Sequence, residues 1–89
     1  MAKVHMRLPV GLTYPDGQKD VECEGATVAA AVEDVLKREP RLRPRMFKDD
    51  GKLFVGIFVN NQNVRMLQGM DTPLKDGDQL RIMPPIAGG

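Results

Sequence analysis

Thr27-Val28-Ala29-Ala30-Ala31-Val32-Glu33-Asp34-Val35-Leu36-Lys37-Arg38-Glu39-Pro40 reads as a helix with both of its ends marked. The Thr27 hydroxyl can accept from an orphan backbone N–H of the first turn, as an N-cap does. Val28, Ala31, Val32, Val35 and Leu36 fall at i, i+3, i+4, i+7 and i+8, one continuous apolar stripe at helical period. Glu33 and Lys37 are spaced to pair across one turn on the wet side. Pro40 lacks the N–H to continue the helix and pushes Glu39 out of the α region.

Upstream of the helix the period changes to two. Val4, Met6, Leu8 and Val10 alternate with Lys3, His5, Arg7 and Pro9, the pattern of a half-buried strand. Tyr14-Pro15-Asp16-Gly17 has proline preset for a turn corner and glycine free to take positive φ. Val21 and Cys23 then share one face of a second strand, predicting a hairpin.

Downstream, residues 40–52 read as an irregular connection anchored by Leu42, Met46 and Phe47, with a short helical turn opened by Pro44. Asp50-Gly51 turns the chain into Leu53-Phe54-Val55-Gly56-Ile57-Phe58-Val59, the most strand-like run present. Asn60-Asn61 is a turn, and Asn63-Val64-Arg65 is expected to form a brief edge strand. Residues 72–78 form a punctuated loop before a last strand from Gln79 to Met83.

The order β-β-α-β-(β)-β suits one helix laid across a single twisted sheet, an α+β arrangement of four to five strands. Val4, Met6, Leu8, Val21, Cys23, Val55, Ile57, Val59, Leu80 and Ile82, with the helix stripe, make the expected core. A chain of 89 residues is too short to build a second core, so a domain over 1–83 and a tail over 84–89 are expected.

Composition narrows the functional classes. Thirteen basic residues against 12 acidic ones leave a net charge of +1, too weak an asymmetry for a nucleic-acid binder. The densest basic stretch, Lys37, Arg38, Arg41, Arg43 and Arg45, reads as a helix C-terminus followed by a solvated loop. No run approaches the about 20 apolar residues of a membrane span, and the start alternates where a signal peptide would be continuously apolar. One cysteine allows neither a disulfide framework nor a structural metal cluster. A cytoplasmic protein with no membrane or nucleic-acid partner is expected.

The side chains offer little chemistry. Cys23 shares a strand face with Val21 and reads as a buried structural thiol rather than a nucleophile. His5 stands on the polar side of the first strand with no paired Ser, Cys or second His in the pattern. Asp76 and Asp78 flank Gly77 but lack the further ligand positions of an EF-hand loop, so a turn with glycine at positive φ is expected. No acid/base or nucleophilic constellation is present, and the chain is not expected to be an enzyme.

The end of the chain is different. Pro84-Pro85 stops the sheet and holds the chain extended, and Ile86-Ala87-Gly88-Gly89 follows. Terminal glycines are poor structural elements, because they contribute no burial and lose much entropy when fixed. They are good substrate elements, able to thread a narrow channel and present a carboxylate with no side chain in the way.

The segment Leu74-Lys75-Asp76-Gly77-Asp78-Gln79-Leu80-Arg81-Ile82-Met83-Pro84-Pro85-Ile86-Ala87-Gly88-Gly89 resembles the C-terminal signature of the MoaD/ThiS sulfur carriers. Val59-Asn60 followed by Val64-Arg65, Gly69 and Thr72 is also similar to that group, with the spacing of its CysO-like branch, which serves cysteine biosynthesis. Pro84-Pro85 is equally typical of the molybdopterin synthase small subunit. The resemblance implies a ubiquitin-like β-grasp fold, with first and last strands parallel at the centre and a flexible Gly-Gly tail. It also implies a cycle in which an ATP-dependent adenylyltransferase/sulfurtransferase of the ubiquitin-activating type adenylates Gly89. A sulfur donor then gives a C-terminal thiocarboxylate, and a sulfur-accepting synthase consumes it, the product being cysteine, molybdopterin, thiazole or a thiolated tRNA base. No bound cofactor or metal is implied, since the ATP belongs to the activating enzyme. A covalent protein modifier and a plain β-grasp interaction module remain as alternatives.

One surface follows from the alternation. If Val55, Ile57 and Val59 point inward, Phe54 and Phe58 point outward with Gly56 between them, and Arg81 and Met83 share the outer face of the last strand. These four residues form a candidate partner-binding patch, leading into Pro84, Pro85, Ile86, Ala87, Gly88 and Gly89.

Overall fold

A computed structural model of the chain describes residues 2–8, 19–53 and 55–83. Five strands form one sheet: β1 (Ala2–Leu8), β2 (Lys19–Gly25), β3 (Gly56–Val59), β4 (Gln62–Asn63) and β5 (Gln79–Met83). Their order is β2-β1-β5-β3-β4, with β1 and β5 parallel at the centre and the other neighbours antiparallel. Helix α1 (Val28–Arg38) covers one face, and a single turn of helix, α2 (Arg43–Met46), follows a 3₁₀ turn at Pro40–Leu42.

The ends of α1 are the ones its sequence marks. Thr27 is extended, and its hydroxyl accepts from the Ala30 N–H at 3.2 Å. The Val28 N–H donates to the Thr72 carbonyl at 3.0 Å, so another orphan donor of the first turn is satisfied from across the molecule. Val28, Ala31, Val32, Val35 and Leu36 are all buried against the sheet. The wet side differs from the expectation: Glu33 leaves Lys37 and takes Arg43 in a two-oxygen contact at 2.8 and 3.1 Å. The i,i+4 pair of the helix is Asp34–Arg38 at 3.3 Å.

The apolar core joins Val4, Met6, Leu8, Cys23, Val55, Ile57, Val59, Leu80 and Ile82 to the helix stripe, with Leu42, Met46, Val64 and Leu74 closing its rim. Val21, expected inside, is only partly buried, as befits its place on the edge strand. Gly25 is where the end of β2 meets the helix. A Cβ there would lie 2.4 Å from the Ala31 nitrogen and 2.7 Å from the Ala30 carbonyl carbon, backbone that cannot move aside.

Two strand expectations are corrected. The run from Leu53 is not one strand: Leu53 makes an isolated bridge to Phe47, and ladder pairing begins at Gly56. Residues 47–53 instead close a small hairpin. Its bonds are Lys48 N–H to Lys52 carbonyl at 2.8 Å and Gly51 N–H to Lys48 carbonyl at 2.9 Å, with Gly51 at φ +84°. The edge strand stops at Asn63, because the Asn63 side chain accepts from the Arg65 N–H at 2.9 Å and starts a 3₁₀ turn at Val64–Met66. That turn swings Val64 into the core.

The Asn60-Asn61 turn is a tight one, with φ of 48° and 72°, the left-handed pair that matches strand twist in a two-residue hairpin. Asn60 also ties this hairpin to β5: its Nδ2 donates to Asp78 at 2.9 Å and its Oδ1 accepts from the Gln79 N–H at 3.0 Å. Asp76 accepts from the Lys3 N–H at 2.8 Å while Gly77, at φ +87°, donates to the Lys3 carbonyl at 2.9 Å. The Asp-Gly-Asp turn therefore locks β1 against β5, which is its work here.

The exposed edge of β2 is occupied. Asp34 accepts from the Glu24 N–H at 3.0 Å, and Arg38 donates to the Glu22 carbonyl.

Candidate functional site

β5 lies between β1 and β3 and is the last described element, ending at Met83. Pro84, Pro85, Ile86, Ala87, Gly88 and Gly89 of the tail, like Phe54 of the patch, lie outside the described residues.

The remaining patch residues come together on the sheet face opposite α1. Leu80 and Ile82 point into the core, so Gln79, Arg81 and Met83 point away from it. Phe58 is the in-register partner of Arg81, and Gly56 is that of Met83. The Arg81 guanidinium carbon sits 5.5 Å from the Phe58 ring centroid, within cation–π range. Met83 keeps 40% of its surface exposed. Gly56 has no side chain to fill the space between them: a Cβ there would meet the Met83 Cβ at 3.7 Å and the Phe58 ring at 3.8 Å. Phe58 and Met83 therefore flank Gly56 on the outer face, with Arg81 opposite Phe58.

The same face holds charges that the sequence pattern did not single out. Across β1 and β2, Lys3 faces Glu24 and Arg7 faces Asp20. Arg7 donates to Asp20 from Nε at 2.9 Å and from Nη2 at 3.3 Å. That hydrogen bond holds the Asp20 carboxyl below the usual carboxylate range and raises Arg7 further. On its other side Arg7 is in register with Arg81. The strand register needed to see this row is not visible in any one segment.

Met66, 82% exposed, and Leu67 stand on the turn after β4 and were likewise unmarked by periodicity.

The side chains with nucleophilic or metal-binding character stay apart. Cys23 is 3% exposed, and burial, reinforced by the neighbouring Asp34 charge, pushes its thiol up to about 11. A thiol so disposed is protonated at neutral pH and a poor nucleophile. Among the described residues no group of three or more His, Cys, Asp or Glu side chains is placed to hold a metal ion. Among them too, no helix is long and apolar enough to cross a membrane.

The fold and the exposed face beside its central strand define a ubiquitin-like β-grasp protein. Residues 11–89 match the ThiS family, and the chain belongs to it. It is 38% identical over 80 residues to the sulfur carrier protein CysO of Mycobacterium tuberculosis, covering 85% of this chain and 86% of that one. Among solved structures it superposes on the small archaeal modifier protein 1 of Methanosarcina acetivorans with a TM-score of 0.87. That match has 29% identity and covers 100% of this chain and 98% of that one. It is also similar to a chain of the Amycolatopsis orientalis BexX/CysO complex, with a TM-score of 0.80, 38% identity and coverage of 97% and 99%.

Proposed function

We propose that this protein is a ubiquitin-like sulfur carrier, in which residues 1–83 serve as the β-grasp domain and residues 84–89 present the Gly89 carboxylate to enzymes. The observation that carries this reading is the placement of β5. The central strand ends at Met83, beside the exposed Phe58–Arg81–Met83 face, with a Pro-Pro-Ile-Ala-Gly-Gly sequence next in the chain. Six residues reach at most about 20 Å, so an enzyme seated on that face has the carboxylate within range of its own active site.

The chemistry needs no side chain from this protein. A carboxylate is a poor electrophile, because its leaving group would be oxide or hydroxide. Adenylation by an ATP-dependent activating enzyme attaches AMP, a good leaving group. A sulfur donor then attacks the acyl carbon, AMP departs, and the C–O bond to phosphate is replaced by a C–S bond. The thiocarboxylate sulfur attacks a synthase substrate, and water then cleaves the acyl group from the product, its oxygen restoring the Gly89 carboxylate. Kinship with CysO favours cysteine as the product, and Pro84-Pro85 keeps molybdopterin in view. ATP is consumed by the activating enzyme and nothing is bound here as cofactor.

A second reading, a covalent modifier joined through Gly89 to lysines, is favoured by the match to small archaeal modifier protein 1. Both fates begin with the same adenylate. Intact mass after incubation with the activating enzyme, ATP and sulfide tests the proposal. A gain equal to one oxygen replaced by sulfur, localised to the C-terminal peptide, is the expected result. Recovery of unmodified chain from an enzyme competent on another carrier overturns it, and a ladder of lysine conjugates in cell extract favours the second reading.

A further inference from the structure

Asp20, Arg7, Arg81 and Phe58 form one row on the outer sheet face, each in register with the next. Asp20 takes the Nε and Nη2 donors of Arg7, which leaves the Nη1 donors without an acceptor among the described residues. Arg81 has no carboxylate partner among them. Its neighbours in the row are Arg7 and the Phe58 ring, which attracts a cation but offers no lone pair to its N–H groups. Like charges opposite one another across a strand pair are destabilising, and strands about 4.8 Å apart hold these two side by side. The two arginines border an open cleft of about 410 Å³ that also takes in Asn60, Asn61 and Gln79. The side-chain amides of Asn61 and Gln79 have no hydrogen-bond partner among the described residues, and each can donate. Of the described lining residues only Asp20 is acidic, and Arg7 already offsets it.

We infer that this cleft is a binding site for a tetrahedral oxyanion of the phosphate or sulfate class, held between the Arg7 and Arg81 guanidiniums. The arrangement of donors selects the ligand. A planar carboxylate is satisfied by the fork of a single guanidinium. A tetrahedral ion directs its oxygens several ways, so it can accept from arginines on two strands and from a nearby amide at once. Its charge also answers the excess cation of the row, so occupancy relieves the Arg7–Arg81 opposition that the strand register imposes. The site is independent of the carrier reading, because none of its donors belongs to the tail and it holds whatever the fate of Gly89.

The test is a titration of the isotopically labelled full chain followed by NMR. Sodium phosphate, sodium sulfate and sodium acetate each replace sodium chloride at constant ionic strength, so that general screening is held fixed. With phosphate and with sulfate, the Nε–H signals of Arg7 and Arg81 and the backbone amides around Gln79 are expected to move together along one saturable curve. Acetate should need about tenfold more to reach half-saturation, and Arg81→Gln should weaken phosphate binding by about tenfold or more. Sulfate stabilises folded proteins generally, so its effect on melting temperature is read as a difference. The rise from chloride to sulfate should be larger for the wild type than for Arg81→Gln, because only the wild type gains from binding. AMP, which carries the same oxyanion on a nucleoside, distinguishes the sources. A half-saturation equal to or weaker than that of phosphate assigns the site to the free ion, and a tighter one assigns it to the phosphate of a larger ligand. The inference is overturned if neither phosphate nor sulfate moves the two arginine signals saturably in the wild type, a result that needs no variant to fold. It is equally overturned if acetate matches sulfate, or if Arg81→Gln binds phosphate as the wild type does.

Discussion

Arg81 and Phe58 face each other across β5 and β3 with the guanidinium 5.5 Å from the ring centroid, and both side chains lie on the face away from the helix. Phe58 thus belongs to the surface, although it sits between the buried Ile57 and Val59. Replacing Phe58 with Asp should leave the fold intact within about 1 kcal/mol, since a carboxylate there sits beside a cation and outside the core. Binding to the activating enzyme should fall by about tenfold or more, as when an interface aromatic is lost. Circular dichroism and a binding titration on the same sample check both halves; an unfolded product would place Phe58 in the core.

Gly25 should be among the least replaceable glycines. An alanine Cβ meets the backbone of Ala30 and Ala31 at under 3 Å, and neither β2 nor α1 can yield without disturbing the core between them. A loss of roughly 1–3 kcal/mol is expected for Gly25→Ala in urea unfolding. A stability equal to the wild type would show that the strand end and helix are looser than described.

Thr27→Ala removes the hydroxyl that caps Ala30 and should cost about 1 kcal/mol. Thr27→Ser should restore most of it. Because Val28 is bonded separately to Thr72, the helix should keep its ends, so the loss should show in the melting temperature and not in helical content.

The Cys23 thiol is raised to about 11 from an ordinary value of 9.0. The folded state therefore holds this proton more tightly than the unfolded chain does. Its contribution is fully present below about pH 9 and is lost as pH climbs towards 11, amounting to about 2–3 kcal/mol at most. Stability measured over that range should fall more steeply for the wild type than for Cys23→Ala. Parallel curves would mean that the thiol is not desolvated as its burial indicates. At pH 8 a thiol reagent should label Cys23 only at the rate at which the protein opens.

Periodicity made α1 and the inward faces of β1, β3 and β5 readable, because a helix stripe and strand alternation are local properties of the chain. The 47–53 region misled for an equally physical reason. Leu53-Phe54-Val55 has strand composition, yet Asp50-Gly51 turns Leu53 back on Phe47, and the ladder of β3 on β5 is recorded only from Gly56. At Asn63 one side-chain acceptor was enough to turn an expected strand into a 3₁₀ turn. Phe58, Arg81 and Met83 were brought to one face by alternation alone. The Arg7–Arg81 opposition and the Asn60 tie to Asp78 needed the parallel register of β1 on β5 and the full topology, and neither is written in a local pattern.

The side-chain clamp of Asp34 and Arg38 on Glu24 and Glu22 has a consequence for how this protein behaves at high concentration. β2 is the long outer strand of the sheet, and the clamp engages a backbone donor and an acceptor along it that a passing strand would need for pairing. The opposite border, β4, is only Gln62–Asn63 and ends in a turn. With a donor and an acceptor of one border engaged and the other border only Gln62–Asn63, the described sheet resists lateral addition of another chain. A crowded cell could thus hold many copies with less tendency for their sheets to join edge to edge.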